Sequence, residues 1–290
     1  MSSTSDGGQN SPTMRRWRLA NELRRLREAA GVTSKQAAER LCCSLSKISR
    51  IETASVAVSP RDVRDMLQLY RVSSEQQEAL LRDADEARQK QIWWQEYDDV
   101  LDVRTRTFIG YEKSAASVRQ YESRAILGLL QTKEYARVIT KVTFPDLRDE
   151  QIERHVELRA ARRSLLLGDN PPTLQVVLDE AALRRMASQR QVMRRQLQRL
   201  IEDAARPNVR LQLLPFEAGL HAGIAGPFTI IDFADPAVPA LVHLEHSAGD
   251  VYLPRAGQIS QFGALFAQLQ VVALGDDEST AFLVELAGEL

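Results

Sequence analysis

Apolar residues near the start of the chain recur at the spacing of short amphipathic helices. A stripe from Leu19 to Ala30, with steps of four, three and four residues, predicts a helix that ends at Gly31. The same kind of spacing predicts three more helices, with stripes at Ala37, Ala38 and Leu41, at Ile48 and Ile51, and at Val63, Met66, Leu67 and Tyr70. A fifth helix is expected from about Glu75 to Trp94. Together they predict a small all-α domain of five helices.

Hydroxyl side chains stand where these helices should begin. The expected caps are Thr33 or Ser34 for the second helix, Ser44 for the third, Ser59 before Pro60 for the fourth, and Ser74 for the fifth. Cys42 and Cys43 form the tight turn between the second and third helices. A non-glycine residue at Cys42 requires either a negative φ or mild backbone strain.

A different pattern begins near residue 100. Long helices are predicted over 110–142 and 148–167, and shorter ones over 190–205 and 259–271. Short apolar runs typical of strands lie at 174–178, 209–214, 228–233 and 241–245. The pattern predicts a multidomain protein: a disordered lead at 1–13, the all-α domain at 14–95, and a mixed α/β (α+β) domain at 96–290.

Charge is unevenly distributed along the chain. The 290 residues carry a formal net charge of −1, yet residues 14–64 hold twelve Lys or Arg against five acids. A basic domain on an acidic remainder is typical of a protein that brings one part to phosphates. Neither a secretory signal nor an apolar run long enough to span a membrane is found. With adjacent cysteines unable to form a disulfide framework, we expect a cytoplasmic protein.

The second and third predicted helices have the properties of a helix-turn-helix. In that motif the second helix enters the major groove and presents its first polar residues to base edges. Arg50 is the expected partner of guanine, and Leu45 of a thymine methyl. The candidate DNA-binding residues are Arg24, Ser34, Lys35, Ser44, Leu45, Ser46, Lys47, Ser49 and Arg50.

These residues resemble a known family. The string from Leu19 to Gly31, followed by 37–41 and by Ser46 to Glu52, is similar to the xenobiotic-response-element (XRE) class of bacterial helix-turn-helix regulators, whose domain is lambda-repressor-like. Because a two-fold dimer would place two such helices in successive major grooves about 34 Å apart, we expect a homodimer on an inverted-repeat operator. Two positions depart from the family pattern: Cys42 stands at the usual glycine, and Ser34 with Lys35 replaces the usual glutamine.

The rest of the chain resembles the uncharacterised C-terminal domain of WhiJ-like developmental and antitoxin-like regulators. The resemblance is carried by the segments 128–132 with 135–136, 178–183, 193–197, 207–216 and 226–228. Leu127 departs from the family, which usually has proline there. The resemblance implies a domain that receives a signal, often through a small protein similar to BldB that is encoded nearby. We expect a sensor and oligomerisation domain that is controlled by a small protein partner or by a ligand. The resemblance itself implies no ligand or reaction.

The histidines and acids of the C-terminal domain could suggest a metal site or an enzyme, but their spacing does not support either hypothesis. His243 and His246 are three apart on a strand and its exit, which does not suit a zinc pair, and Asp179 with Glu180 is explained by helix capping. We therefore expect no enzyme, cofactor or metal site. Candidate partner- or ligand-binding residues are Trp93, Trp94, Tyr97, His221 and Ile224, the last two in the glycine-rich loop 219–227.

Two functions remain open on these features. One is a transcriptional regulator that is controlled through its C-terminal domain. The other is an antitoxin-like interaction module that sequesters a small partner, with DNA binding secondary. A redox role for Cys42 and Cys43 is a minor alternative to simple packing of these side chains in the turn.

Overall fold

The structure, a computed structural model, describes residues 12–54, 56, 58–86, 96–186, 189–235 and 238–290. The chain divides into two compact units. The first holds the N-terminal helices together with Val103–Ser114 and Phe233–Pro239. The second holds Glu96–Asp102, Ala115–Asp232 and Ala240–Leu290. The predicted fold class is confirmed: a helical N-terminal region precedes a domain with a mixed sheet and helices.

The N-terminal helices follow the predicted stripes. They are α1 (Pro12–Ala29), α2 (Ser34–Arg40), α3 (Leu45–Glu52), α4 (Pro60–Leu69) and α5 (Ser74–Glu86). Ser44 and Ser59 accept hydrogen bonds from backbone amides at the starts of α3 and α4, which confirms both caps. Ser74 is the first helical residue of α5 rather than its cap. The predicted extension of this helix to Trp94 lies outside the described residues.

One apolar cluster joins these helices. Leu19 and Leu23 of α1 pack with Ile51 of α3 and with Val63 and Met66 of α4, all almost fully buried. Each residue comes from a stripe that the sequence shows, so hydrophobic burial fixes the mutual arrangement of the helices.

Two later segments belong to the first unit. Helix α6 (Val103–Lys113) brings Tyr111 into edge contact with the Trp17 ring, with centroids 5.4 Å apart. Trp17 also donates through Nε1 to the carbonyl oxygen of Pro239 over 3.2 Å. The sequence predicts that residues 96–290 form the C-terminal domain, whereas these two segments cluster with the N-terminal helices, where they contact the fully buried Trp17.

A six-stranded sheet forms the second unit. Its strands are β1 (Ala115–Glu122), β2 (Thr173–Asp179), β3 (Val209–Leu214), β4 (Phe228–Phe233), β5 (Leu241–His246) and β6 (Gly249–Leu253), in the order β3-β2-β1-β4-β5-β6. Parallel pairing joins β1 to β2 and β2 to β3, with Val118 opposite Leu174 and Val176 opposite Leu211. Antiparallel pairing joins β4 to β5 and β5 to β6.

Helices connect and cover the strands. They are α7 (Lys133–Thr143), α8 (Asp149–Arg163), α9 (Glu180–Arg184), α10 (Arg190–Ala204), α11 (Ala256–Val272) and α12 (Asp276–Glu289). One core cluster contains Val118, Val176 and Leu211, and a second contains Tyr121, Val177 and Phe266. Adjacent strand residues therefore point to opposite sides of the sheet, as strand geometry requires.

The predicted helix over 110–142 is wrong. Its first residues end α6, its middle is strand β1, and only its last part is α7. Within β1, Val118 is the one β-branched residue, and its alanines, glutamine and glutamate favour a helix. Pairing with β2 on one side and a position next to β4 on the other override that local preference. The sequence pattern predicts the start of α9 at Asp179 and Glu180, but neither strand β6 nor helix α12.

Candidate nucleic-acid interface

Helix α2, the turn and α3 form a helix-turn-helix whose ends are fixed by side chains. The Thr33 hydroxyl accepts from the Gln36 amide, while the Gln36 side-chain oxygen accepts from the Thr33 amide over 2.8 Å. Of the two predicted caps, the structure therefore selects Thr33. The Ser44 hydroxyl accepts from the Lys47 amide over 3.1 Å, which fixes the start of α3.

The turn between the helices uses Cys42 where glycine is preferred. Its φ is 49°, so of the two conformations left open by the sequence the strained one is observed. The Cys42 amide donates to the Glu39 carbonyl oxygen and the Cys43 amide to that of Ala38, over 3.2 and 2.9 Å. These two bonds form a Schellman ending of α2. Cys42 is exposed, and Cys43 is half-buried against the cluster of Ala37, Ala38 and Ile48.

The outer face of α3 is polar and open to solvent. Ser44, Ser46, Ser49 and Arg50 are exposed, and the Leu45 side chain is 54% exposed. Ile48 and Ile51 on the opposite face are buried. Arg50 has no ion pair among the residues that the structure describes. Its guanidinium is therefore available to an external acceptor such as a guanine edge or a phosphate.

Three of the predicted basic contacts lie near acids of the protein itself. Lys47 Nζ is 2.9 Å from Asp62 Oδ1, and Arg24 Nε is 3.0 Å from Glu28 Oε1. Although burial opposes it, hydrogen bonds from Lys47 and from the Ser59 hydroxyl lower the pKa of Asp62.

The third is Lys35, which is well exposed and 4.0 Å from Glu39. Ser34, also predicted to bind DNA, is the half-buried first residue of α2. Because the two side chains are exposed and 4.0 Å apart, the Lys35–Glu39 ion pair is weak, and the Lys35 ammonium group remains accessible to a phosphate.

A buried ion pair, which sequence reasoning missed, holds α3 against α1. Arg27 Nε and Nη2 donate to Glu52 Oε1 and Oε2 over 2.6 and 2.9 Å. Arg27 Nη1 also donates to the Val32 carbonyl oxygen over 2.8 Å. Hydrogen bonding to Glu52 raises the pKa of Arg27 despite its burial. The pair fixes the end of α3, and with it the direction of its outer face.

The structure places the candidate partner-binding residues in different surroundings. Trp93 and Trp94 lie outside the described residues. Tyr97 lies under the Arg154 guanidinium, 4.8 Å from its ring centroid. His221 Nε2 is 3.6 Å from Asp179 Oδ2, and its ring is in edge contact with that of Tyr121. Asp179 also accepts from the Ala181 amide, so its predicted capping role is confirmed.

The loop that carries His221 exposes apolar side chains. Leu220 is 89% and Ile224 is 76% exposed, and Phe216 just before them is more than half exposed. Gly223 packs so closely on Tyr121 that a Cβ there would stand 2.4 Å from the ring. The loop is thus held against the sheet while its apolar side chains face solvent.

The described part of the chain lacks the features of a metal site and of a membrane span. It contains no group of three His, Cys, Asp or Glu side chains arranged to hold a metal ion. None of its helices has both the length and the apolar character needed to cross a bilayer.

Comparison with protein families agrees with this geometry. Residues 18–80 match the family described as Helix-turn-helix domain, which shows that the N-terminal helices contain a helix-turn-helix domain and supports DNA binding. Residues 105–285 match the family described as Domain of unknown function (DUF5753). Since this match spans more than half of the chain, the protein belongs to the DUF5753 family. The searches of curated proteins and of solved structures find no match.

Proposed function

We propose that this protein regulates transcription by sequence-specific binding of double-stranded DNA through α3. The observation that carries the proposal is the outer face of α3. It combines exposed hydroxyls with Arg50, which has no ion pair in the described residues, on a helix that Arg27 and Glu52 hold in place. Hydroxyls and a free guanidinium are donors suited to phosphates and to guanine.

The proposal extends to assembly and control. Like other helix-turn-helix regulators, the protein acts as a homodimer on an inverted repeat. Its two α3 helices enter successive major grooves, about 34 Å apart. The C-terminal unit, similar to that of WhiJ-like regulators, receives a signal from a small protein or ligand. The signal binds differently to the arrangement of the protein that is compatible with DNA binding and to the one that is not, and so shifts the population between them. We assign the protein to the cytoplasm and assign it no catalytic activity.

The experiment is a binding titration of the wild-type chain on its own upstream DNA and on random DNA at several salt concentrations, with footprinting. We expect at least about 1000-fold tighter binding to a protected inverted repeat. Equal affinity for both DNAs with a steep salt dependence would contradict sequence-specific regulation.

A second candidate is an antitoxin-like module whose main task is to sequester a small BldB-like protein. The exposed Leu220 and Ile224 favour it, because adjacent exposed apolar side chains are typical of protein interfaces. Co-purification with a co-expressed small protein similar to BldB tests it. We expect Leu220→Ser with Ile224→Ser to abolish retention, and Val142→Ser, an exposed position on α7, to preserve it. Retention by the double variant would contradict this role for the loop.

A further inference from the structure

Two arginines lie on the buried stripe of α8, where apolar residues are expected. Ile152, Val156, Arg159 and Arg163 follow one another at steps of four, three and four residues, and the first two are buried. Arg163 is neutralised: its Nη1 and Nη2 are 2.7 and 2.5 Å from the Asp203 carboxylate. Arg159, half-buried on the same stripe, has no such acid.

The described surroundings of Arg159 provide no carboxylate in an ion pair with it. Its Nη1 donates to Gln131 Oε1 over 2.9 Å, and no carboxylate of the described residues forms an ion pair with it. Glu245, whose charge acts on Arg159, accepts from Arg124 Nη2 over 2.9 Å. Burial, and then the like charge of Arg162 one turn later, lower the pKa of Arg159 to about 10.

Gln131 is held in position by its own neighbours. Its Nε2 donates to the Ile126 carbonyl oxygen over 2.6 Å. The fully buried Gln196 donates to the Leu130 carbonyl oxygen and accepts from the Thr132 amide, each over 2.7 Å. The segment that faces Arg159 is therefore fixed before any ligand arrives.

Gly128 makes room for the second guanidinium. A Cβ at this position would stand 3.2 Å from Arg162 Nη1. Two positions of the segment 128–132 therefore have a physical explanation. Gly128 leaves space for the Arg162 guanidinium, and Gln131 accepts a hydrogen bond from Arg159. The segment follows the carboxyl end of the central strand β1, the edge at which open α/β sheets bind ligands.

We propose that Arg159 and Gln131 form the anion-binding part of a small-molecule site, which takes a ligand bearing a carboxylate or phosphate group. A guanidinium has five N–H donors in a planar fork, and Arg159 donates one of them to Gln131. An arginine that served stability alone would be paired as Arg163 is, since an uncompensated buried charge costs free energy. The anion site itself does not depend on the proposed function; only a role of its ligand as the regulatory signal rests on that function.

The test is thermal unfolding of the full chain in sodium phosphate, sodium acetate and sodium chloride at equal ionic strength and pH. We expect phosphate or acetate to raise the wild-type midpoint by at least about 2 °C over chloride. The anion with the larger shift identifies the chemical class of the ligand.

Two arginine variants make the test specific. Arg159→Met should unfold at a higher temperature than wild type in chloride, because it removes a half-buried charge that has no ion pair among the described residues, and it should lose the anion-dependent shift. Arg195→Met, which removes an exposed arginine paired with Glu134, should keep the full shift. If Arg159→Met does not fold, Arg159→Lys serves instead, and its shift should be smaller than that of wild type.

Two results would overturn the proposal. One is a wild-type midpoint that neither anion raises. The other is an Arg159→Met or Arg159→Lys variant that keeps the full anion-dependent shift. Because no DNA is present, either result leaves the DNA-binding proposal standing, and loss of DNA binding would leave this one standing.

Discussion

Two arginines without an ion pair in the described residues, one in each unit, differ in their surroundings. Arg50 of the first unit lies on the exposed face of α3. Arg159 of the second unit is half-buried on α8 and hydrogen-bonded to Gln131. An exposed cation loses little solvation on meeting a polyanion, and salt screens the attraction. A half-buried cation is screened less and suits a single desolvated anion, so the two sites that we propose would take two kinds of ligand.

Each unit also contains an arginine that is fully paired. Arg27 is bound to Glu52, and Arg163 to Asp203, with side chains that are mostly or entirely buried. Arg27 and Arg163 each have a carboxylate within hydrogen-bonding distance, whereas Arg50 and Arg159 lack one among the described residues.

The largest effect is expected from Glu52→Gln. It leaves Arg27 buried without a counter-charge and should lower the free energy of unfolding by about 3–5 kcal/mol. Urea unfolding monitored by circular dichroism measures it. The matched control is Glu28→Gln on the exposed end of α1, which should change stability by less than about 0.5 kcal/mol. Equal effects of the two variants would show that the buried pair is not structural.

Asp203→Asn makes the same change in the second unit. Asp203 is fully buried and accepts from both Arg163 and Arg206, so we expect a loss of about 3 kcal/mol. Urea unfolding of Glu202→Gln, its exposed neighbour, is the control and should match wild type. A neutral outcome for Asp203→Asn would remove the contrast between Arg163 and Arg159.

Gly223→Ala tests how the loop 219–227 is held. Its methyl group would stand 2.4 Å from the Tyr121 ring, so the loop or the ring must move, at a cost of about 1–3 kcal/mol. Near-ultraviolet circular dichroism and urea unfolding measure the change. Gly219→Ala is not a suitable control, because its φ of 65° strains any side chain; Gly257→Ala, in open space, is. A stable Gly223→Ala variant with unchanged spectra would show that the loop is not packed on Tyr121.

The smallest effect is expected from Cys42→Gly. Glycine adopts a positive φ without steric cost, so the variant should gain about 0.5–1 kcal/mol after the entropy of glycine is subtracted. Urea unfolding measures it, and DNA affinity should be unchanged. A loss of stability would mean that the cysteine side chain contributes packing that outweighs the strain.

The helix-turn-helix was predictable because its signals are local. Ser44 and Ser59 cap the helices that follow them, and the apolar stripes alone place Leu23, Ile48 and Val63 in the core. Thr33 could not be told from Ser34, because the choice depends on the Gln36 side chain folding back. The recognition face follows from the same periodicity.

The second unit was less predictable because its central strand is set by neighbours distant in sequence. Strand β1 has the composition of a helix and becomes a strand through pairing with β2. The arginines were missed for a different reason. Arg27, Arg159 and Arg163 each fall on an apolar stripe, and a charged residue there is a signal that a partner, or a ligand, must be found.

We propose that Arg50 forms hydrogen bonds with a base and that Lys35 contacts a phosphate. The most direct test measures the affinities of Arg50→Ala and Lys35→Ala for upstream and random DNA at several salt concentrations. We predict that Arg50→Ala loses about 1–3 kcal/mol on upstream DNA and little on random DNA. Lys35→Ala should weaken both alike and reduce the salt slope by about one. Equal losses of Arg50→Ala on both DNAs would contradict the account.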